Sequence, residues 1–225
     1  MPHLYYITNR QAFSGSESSR QQQLLEKIKE AAAAGVDYIQ LREKDLSARA
    51  LENLARAALQ TIKEVQLETG SPQLKTKLLI NSRTDIALAA GADGVHLRSN
   101  DISPEEVRTI LSQYRNTKPE TENFLVCISC HTIEDVRHAE REGADFAVLA
   151  PIFGKLVNHT IKPRIQTLGL DTLRTACVGK LPVFALGGVT IESAQSCLAV
   201  GAAGIAGIHL FQENDIDQIV RQLCS

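Results

Sequence analysis

The sequence predicts a (β/α)8 barrel in which residues 1–225 form one domain, and three observations carry that reading. The first is a unit: residues 77–98, KLLINSRTDIALAAGADGVHLR, read as strand, helix, glycine turn and strand. The second is its recurrence. Turns at Gly35-Val36-Asp37, Gly91-Ala92-Asp93, Gly143-Ala144-Asp145 and Gly201-Ala202-Ala203 step by 56, 52 and 58 residues. Each step is about twice the roughly 30-residue length of a strand plus helix, so four double units make eight. The third is length, because 225 residues without a linker-like stretch suit one closed barrel. An open doubly wound sheet is the runner-up.

The elements follow in order. The first strand covers residues 3–8, and a polar loop leads to a helix over 19–34 with Leu24, Leu25 and Ile28 on its inner face. The second strand, 37–41, ends in Arg42-Glu43-Lys44, and its helix, 47–68, carries Leu51, Leu54, Ala55, Ala58, Leu59 and Ile62 on one stripe. The third strand, 77–80, is apolar enough to be buried on both faces. It stops at Asn81-Ser82-Arg83, and a short helix runs to Ala90. The fourth strand starts at Ala92, and Ser103-Pro104-Glu105-Glu106 opens its helix with a cap, a first-turn proline and acids where the dipole favours them. The fifth strand is 124–128, with Thr132 capping the helix that follows. The sixth is 146–150, with a long loop over 151–166. The seventh is 182–186, ending in Gly187-Gly188, the eighth is 203–208, and the last helix is 215–224.

Composition excludes several classes of protein. A net charge of −2, from 24 basic and 26 acidic residues spread evenly, argues against nucleic acid or an anionic membrane as partner. No run approaches the roughly 20 apolar residues of a membrane span, and the first ten residues lack a signal peptide's pattern, so a cytoplasmic protein is expected. Five cysteines, mostly within apolar runs, suit reduced core thiols. Cys127-Ile128-Ser129-Cys130-His131 matches a haem-attachment pattern, but strand alternation sends the two thiols to opposite faces.

In a barrel of this kind the active site lies at the carboxyl ends of the strands. The residues there are Arg42 and Lys44, Asn81 and Arg83, His96, Arg98 and Asp101, Ser129 and His131, Lys155, Gly187 and Gly188, and His209. Cations outnumber acids in this set although the chain is slightly acidic, which points to a phosphorylated substrate. Glycines after the seventh strand and around the eighth let backbone N–H groups approach a phosphate; the plain alternative is a tight turn. His131 is the candidate general acid/base, because imidazole titrates near neutral pH; capping the fifth helix is its alternative role. His96 reads as a satisfied barrel residue, and His3 and His138 as structural or surface groups.

Ile39-Gln40-Leu41-Arg42-Glu43-Lys44, Ile80-Asn81-Ser82-Arg83, Gly91-Ala92-Asp93-Gly94-Val95-His96-Leu97, Ser129-Cys130-His131, Ala150-Pro151-Ile152-Phe153 and Ala185-Leu186-Gly187-Gly188 resemble, in order and spacing, motifs of the thiamine phosphate synthase and TenI thiazole tautomerase superfamily. The resemblance implies one of two reactions on a thiazole phosphate. The synthase joins it to a pyrimidine methyl diphosphate with loss of pyrophosphate, using Mg2+ held by two aspartates. The tautomerase moves a proton with a histidine and no metal. Residues resembling the synthase's pyrophosphate contacts are Arg42, Lys44 and Asn81, and Asp101 resembles its second metal aspartate.

The chain departs from the synthase pattern at three places. Ser82 stands where the first metal aspartate is expected, and its hydroxyl cannot supply the anionic oxygen that Mg2+ prefers. Gly154-Lys155-Leu156 replaces a Pro-Thr-x-Thr-Lys segment, leaving Lys155 or Lys162 as substitutes, and Ile208-His209 replaces a phosphate-binding Val-Ser. The missing aspartate favours a tautomerase-like enzyme with His131 as acid/base and Ser129 among its substrate contacts; a divergent synthase, and a phosphate-binding barrel without catalysis, are the alternatives. Oligomeric state is not legible in the sequence, although a homodimer would suit the family.

Overall fold

The computed structural model describes residues 1–70, 75–114, 123–154, 156–157, 160–161 and 166–224. Eight parallel strands close in the order β1-β10-β9-β6-β5-β4-β3-β2, so the predicted (β/α)8 barrel is present. Its strands are β1 (His3–Ile7), β2 (Tyr38–Leu41), β3 (Lys77–Asn81), β4 (Gly94–Leu97), β5 (Leu125–Cys130), β6 (Phe146–Leu149), β9 (Val183–Ala185) and β10 (Gly204–Gly207). Two further strands, β7 (Leu156–Val157) and β8 (Thr160–Ile161), form an antiparallel ribbon where a plain loop was expected. A short helix, α8 (His209–Gln212), is also additional, inserted before α9 (Ile216–Leu223).

Side-chain alternation divides the core in two. Outward-facing residues such as Leu4, Ile39, Leu78, Ile80, Val95 and Val126 pack against the helices, meeting Leu24 and Ile28 of α1 (Glu17–Ala34) and Leu54, Ala58 and Ile62 of α2 (Ala48–Thr69). Inward-facing Tyr5, Ile7, Leu79, Cys127, Phe146, Val148, Phe184 and Ala206 fill the barrel. Tyr38, Phe146 and Phe184 close one end of it, with ring centroids 5.0 Å apart for the first pair and 4.7 Å for the second. Cys127 belongs to the inner cluster and Cys130 to the outer one, as alternation requires, and both are free thiols.

The recurring turn has a physical explanation. Its aspartate reaches sideways to the first residues of the preceding strand: Asp37 accepts from the Leu4 amide (2.8 Å), Asp93 from Leu78 (2.7 Å) and Asp145 from Val126 (2.6 Å). Each carboxylate satisfies an amide at the amino-terminal rim, opposite the site. The fourth copy has Ala203 instead, and the Ala203 amide donates to the Val183 carbonyl (2.8 Å). Ser16, Ser47 and Thr132 cap α1, α2 and α5 (Ile133–Arg141), so the sequence signals for helix starts fall within two residues of the observed ends. No helix among the described residues is long and apolar enough to cross a membrane.

Candidate active site

Arg42 and Lys44 are presented by a loop built around a buried ion pair. Glu43, between them, turns inward: its carboxylate accepts from Thr8 Oγ1 (2.6 Å), the Arg10 amide (3.1 Å) and Arg10 Nη1 (3.1 Å), and its side chain is 1% exposed. Thr8 Oγ1 in turn accepts the Arg42 amide (3.0 Å). Arg10 is itself held by Asp45 (2.6 Å) and Glu17 (2.7 Å). Burial raises the Glu43 pKa, against which Thr8 and Arg10 act to keep it ionised. Arg42 is thereby left half-buried and Lys44 exposed.

Below this loop a hydrogen-bonded chain crosses the barrel. Gln40 Nε2 donates to Tyr5 Oη (3.0 Å), which lies 2.9 Å from His96 Nδ1, and Cys127 Sγ is 3.1 Å from the same nitrogen. Burial, first of all, raises the pKa of both Tyr5 and Cys127, so both stay protonated. Burial, with the charge of Arg42 second, pulls His96 down to about 3, so the ring is neutral. On the other side of the ring His96 Nε2 lies 2.8 Å from Ser129 Oγ, so the neutral imidazole links Tyr5 and Cys127 in the core to a hydroxyl at the mouth. His96 is thus a satisfied barrel residue, as its place in the strand pattern suggested, and it holds Ser129 in place at the mouth.

His131 follows β5. Its amide donates to Asp135 (2.8 Å), the same carboxylate that completes the capping box of α5, and its ring Nδ1 lies 2.8 Å from the Ala150 carbonyl. A carbonyl only accepts, so Nδ1 carries a proton, and Nε2 of the exposed ring has no partner among the described residues. The capping role considered for His131 thus falls to its backbone amide.

On β3 and β4 the site centres on Asp101. One of its oxygens accepts from the Arg98 amide (2.8 Å) and the other from Arg98 Nη2 (2.8 Å). Burial acts to raise its pKa, but Arg98 and the Ser82 hydroxyl outweigh it and hold the carboxylate below its ordinary value. Ser82 has a left-handed backbone, φ 63°, and its Oγ also accepts from Asn81 Nδ2 (3.1 Å). Arg83 is turned away onto Asp85 (2.6 Å). Lys44 has its pKa lowered by the charge of Arg42, then burial, then the charge of Arg98, so these three cations share one region.

The donors around Asp101 do not fit the two-aspartate Mg2+ site that the resemblance implies. There is one carboxylate, both its oxygens are taken by an arginine, and its neighbour is a hydroxyl. No cluster of three acidic, histidine or cysteine side chains arranged for a metal occurs among the described residues.

Gly187 and Gly188 have φ 93° and 62°, and a side chain on either would collide with the segment that follows β6: the nearest atoms are Pro151 Cα at 2.8 Å and the Gly154 carbonyl at 2.6 Å. Their identity thus has a packing cause that is independent of any phosphate. Ile208 continues the inward alternation of β10 beside the inner cluster, and His209 Nδ1 lies 2.6 Å from Glu213. Lys155 and Lys162 lie outside the described residues. The sequence reading did not single out Gln40, Tyr5, Arg10 or Thr8. Gln40, a polar residue inside the apolar run Tyr38-Ile39-Gln40-Leu41, was the available signal.

Arg42, Lys44, Asn81, Arg98, Ser129, His131 and the glycine pair all follow or end strands at one rim of the barrel, which defines a (β/α)8 enzyme with a cationic mouth. The chain belongs to the thiamine monophosphate synthase family, which matches residues 4–211. It is 41% identical over 214 residues, 95% of this chain and 99% of the other, to a putative thiamine-phosphate synthase 2 of Aquifex aeolicus. It is 34% identical to the thiamine-phosphate synthase of Clostridium novyi over 94% of this chain and 91% of that one. Thiamine phosphate pyrophosphorylase from Pyrococcus furiosus superposes with a TM-score of 0.73 at 25% identity, covering 99% of this chain and 93% of that one.

Proposed function

We propose that residues 1–225 form a single-domain thiamine-phosphate synthase, which couples a pyrimidine methyl diphosphate to a thiazole phosphate. The relatives' names support this branch over the tautomerase that Ser82 favours in the sequence. The observation that carries it is the convergence of three cations at the mouth, Arg42 and Lys44 after β2 and Arg98 after β4, on strands that both flank β3. Such a surplus of positive charge suits a diphosphate leaving group better than a single phosphate monoester.

In this mechanism Arg42 and Lys44 hold the diphosphate, and Asn81 and Ser129 contribute hydrogen bonds at the reacting end. The methylene C–O bond breaks, pyrophosphate departs with its electron pair, and the thiazole nitrogen supplies the pair for the new C–N bond. Gly187, Gly188, Ile208 and His209 form the end that receives the thiazole phosphate, with Lys155 as an added cation.

His131 supports a second reading, the tautomerase, because its exposed ring presents at the mouth an Nε2 with no partner among the described residues. A paired assay separates the two. Formation of thiamine phosphate from the diphosphate and thiazole phosphate is expected. Aromatisation of a thiazole carboxylate phosphate without any coupling would sink the synthase reading, and binding without turnover in either tube would favour the non-catalytic barrel.

A further inference from the structure

The mismatch around Asp101 has a compensating partner. An aspartate plus a divalent cation contribute one net positive charge, and a serine plus an arginine contribute the same. Ser82 supplies the first exchange and Arg98 the second. Arg98 sits on the carboxylate through its amide (2.8 Å), Nε (3.2 Å) and Nη2 (2.8 Å), while Nη1 has no protein partner among the described residues.

Topology puts this guanidinium in the right place. Leu41 pairs with Ile80 and Asn81 with His96, so Arg42, Asn81, Ser82 and Arg98 lie at the same ends of three adjacent strands. The Ser82 amide donates to the His96 carbonyl (2.8 Å), which ties the β3 end to the β4 segment leading to Arg98. Arg98 is half-exposed, with a side-chain accessibility of 48%, while Asp101 at 10% is largely covered. The carboxylate thus anchors the guanidinium and leaves its outer edge open. A planar guanidinium with free N–H groups binds phosphate oxygens in pairs, which suits it to a diphosphate.

We propose that Arg98, anchored by Asp101, stands in for the divalent cation, so that the diphosphate end of the site binds its ligand without Mg2+. This rests on the synthase reading for the identity of the substrate, but the charge site can be tested separately with inorganic pyrophosphate. In calorimetry the protein is expected to bind pyrophosphate in EDTA within about threefold of its affinity in Mg2+. Arg98→Ala should weaken binding in EDTA at least tenfold, Arg98→Lys should restore part of it, and Ser82→Asp/Arg98→Ala should bind appreciably only with Mg2+.

Circular dichroism of each variant establishes that it is folded before titration. Tenfold or greater dependence of wild-type binding on Mg2+, or unchanged binding in Arg98→Ala, overturns the proposal. A protein that shows metal-independent, Arg98-dependent pyrophosphate binding but makes no thiamine phosphate would refute the synthase reading and leave this inference standing.

Discussion

His96 Nε2 stands 2.8 Å from Ser129 Oγ, which ties a ring in the barrel core to a hydroxyl at the mouth. On the other side of the ring Tyr5 Oη and Cys127 Sγ, both kept protonated, face Nδ1 at 2.9 and 3.1 Å. A core hydrogen-bond chain beginning at Gln40 therefore ends in a serine at the mouth. Protonating His96 would make both ring nitrogens donors, so the hydroxyls and thiol around the ring would have to reorient to accept.

That relationship makes the fold acid-sensitive in a defined window. The folded-state pKa of His96, about 3, lies below the ordinary 6.5, so the unfolded chain binds the extra proton first. The stability tied to neutral His96 is fully present above pH 6.5 and is lost as the pH falls from there towards 3. Linkage gives about 2 kcal/mol between pH 7 and pH 5 from this one group. Urea denaturation at both pH values checks it, with His96→Gln expected to flatten the difference; an equal slope in that variant removes His96 as the cause.

Arg10→Ala should do more harm than its distance from the mouth suggests. It strips the buried Glu43 carboxylate of the guanidinium that pairs with it and releases Asp45, and breaking such a pair costs about 3–5 kcal/mol. Because Glu43 sits between Arg42 and Lys44, the KM for the diphosphate substrate should rise as well. Adding Glu43→Gln to Arg10→Ala should recover part of the stability, measured by thermal melting, since the uncompensated charge is then gone. No recovery would mean that the loss came from packing rather than charge.

The barrel was legible because its repeat is physical: a glycine with positive φ follows the helix at each of the four recurring turns, and at three of them an aspartate then fastens the turn to the neighbouring strand. Asp93 shows both features in one segment, with Gly91 at φ 76° before it and the Leu78 amide on its carboxylate. The polar rim was also visible, since Arg42 and Lys44 follow β2 while Asn81 and Ser129 stand at the carboxyl ends of β3 and β5. What stayed hidden depends on pairings across the barrel. That Glu43 would be buried by Arg10, 33 residues earlier, or that Tyr5 would reach His96, 91 residues later, has no local pattern. The glycine pair illustrates the reverse problem. Its phosphate role was argued from location alone, while the structure gives Gly187 and Gly188 a packing reason in Pro151 and Gly154. The ribbon of β7 and β8 had no signal because two-residue strands are shorter than any periodicity can register.

The two ends of the barrel should respond differently to substitution, and this separates scaffold from site. Asp93→Ala leaves the Leu78 amide without its side-chain acceptor at the amino-terminal rim, so a stability loss of about 1–3 kcal/mol is expected with kcat/KM unchanged. Gly188→Ala acts at the opposite rim, where the new Cβ would stand 2.6 Å from the Gly154 and Phe153 carbonyls and the residue would keep a left-handed backbone. The connection carrying Phe153 and Gly154 must then move, and KM for the thiazole phosphate should rise severalfold. Steady-state kinetics and melting temperatures on both variants test the division. A kinetic defect in Asp93→Ala at temperatures where it is fully folded would show that the amino-terminal staples also set the geometry of the mouth.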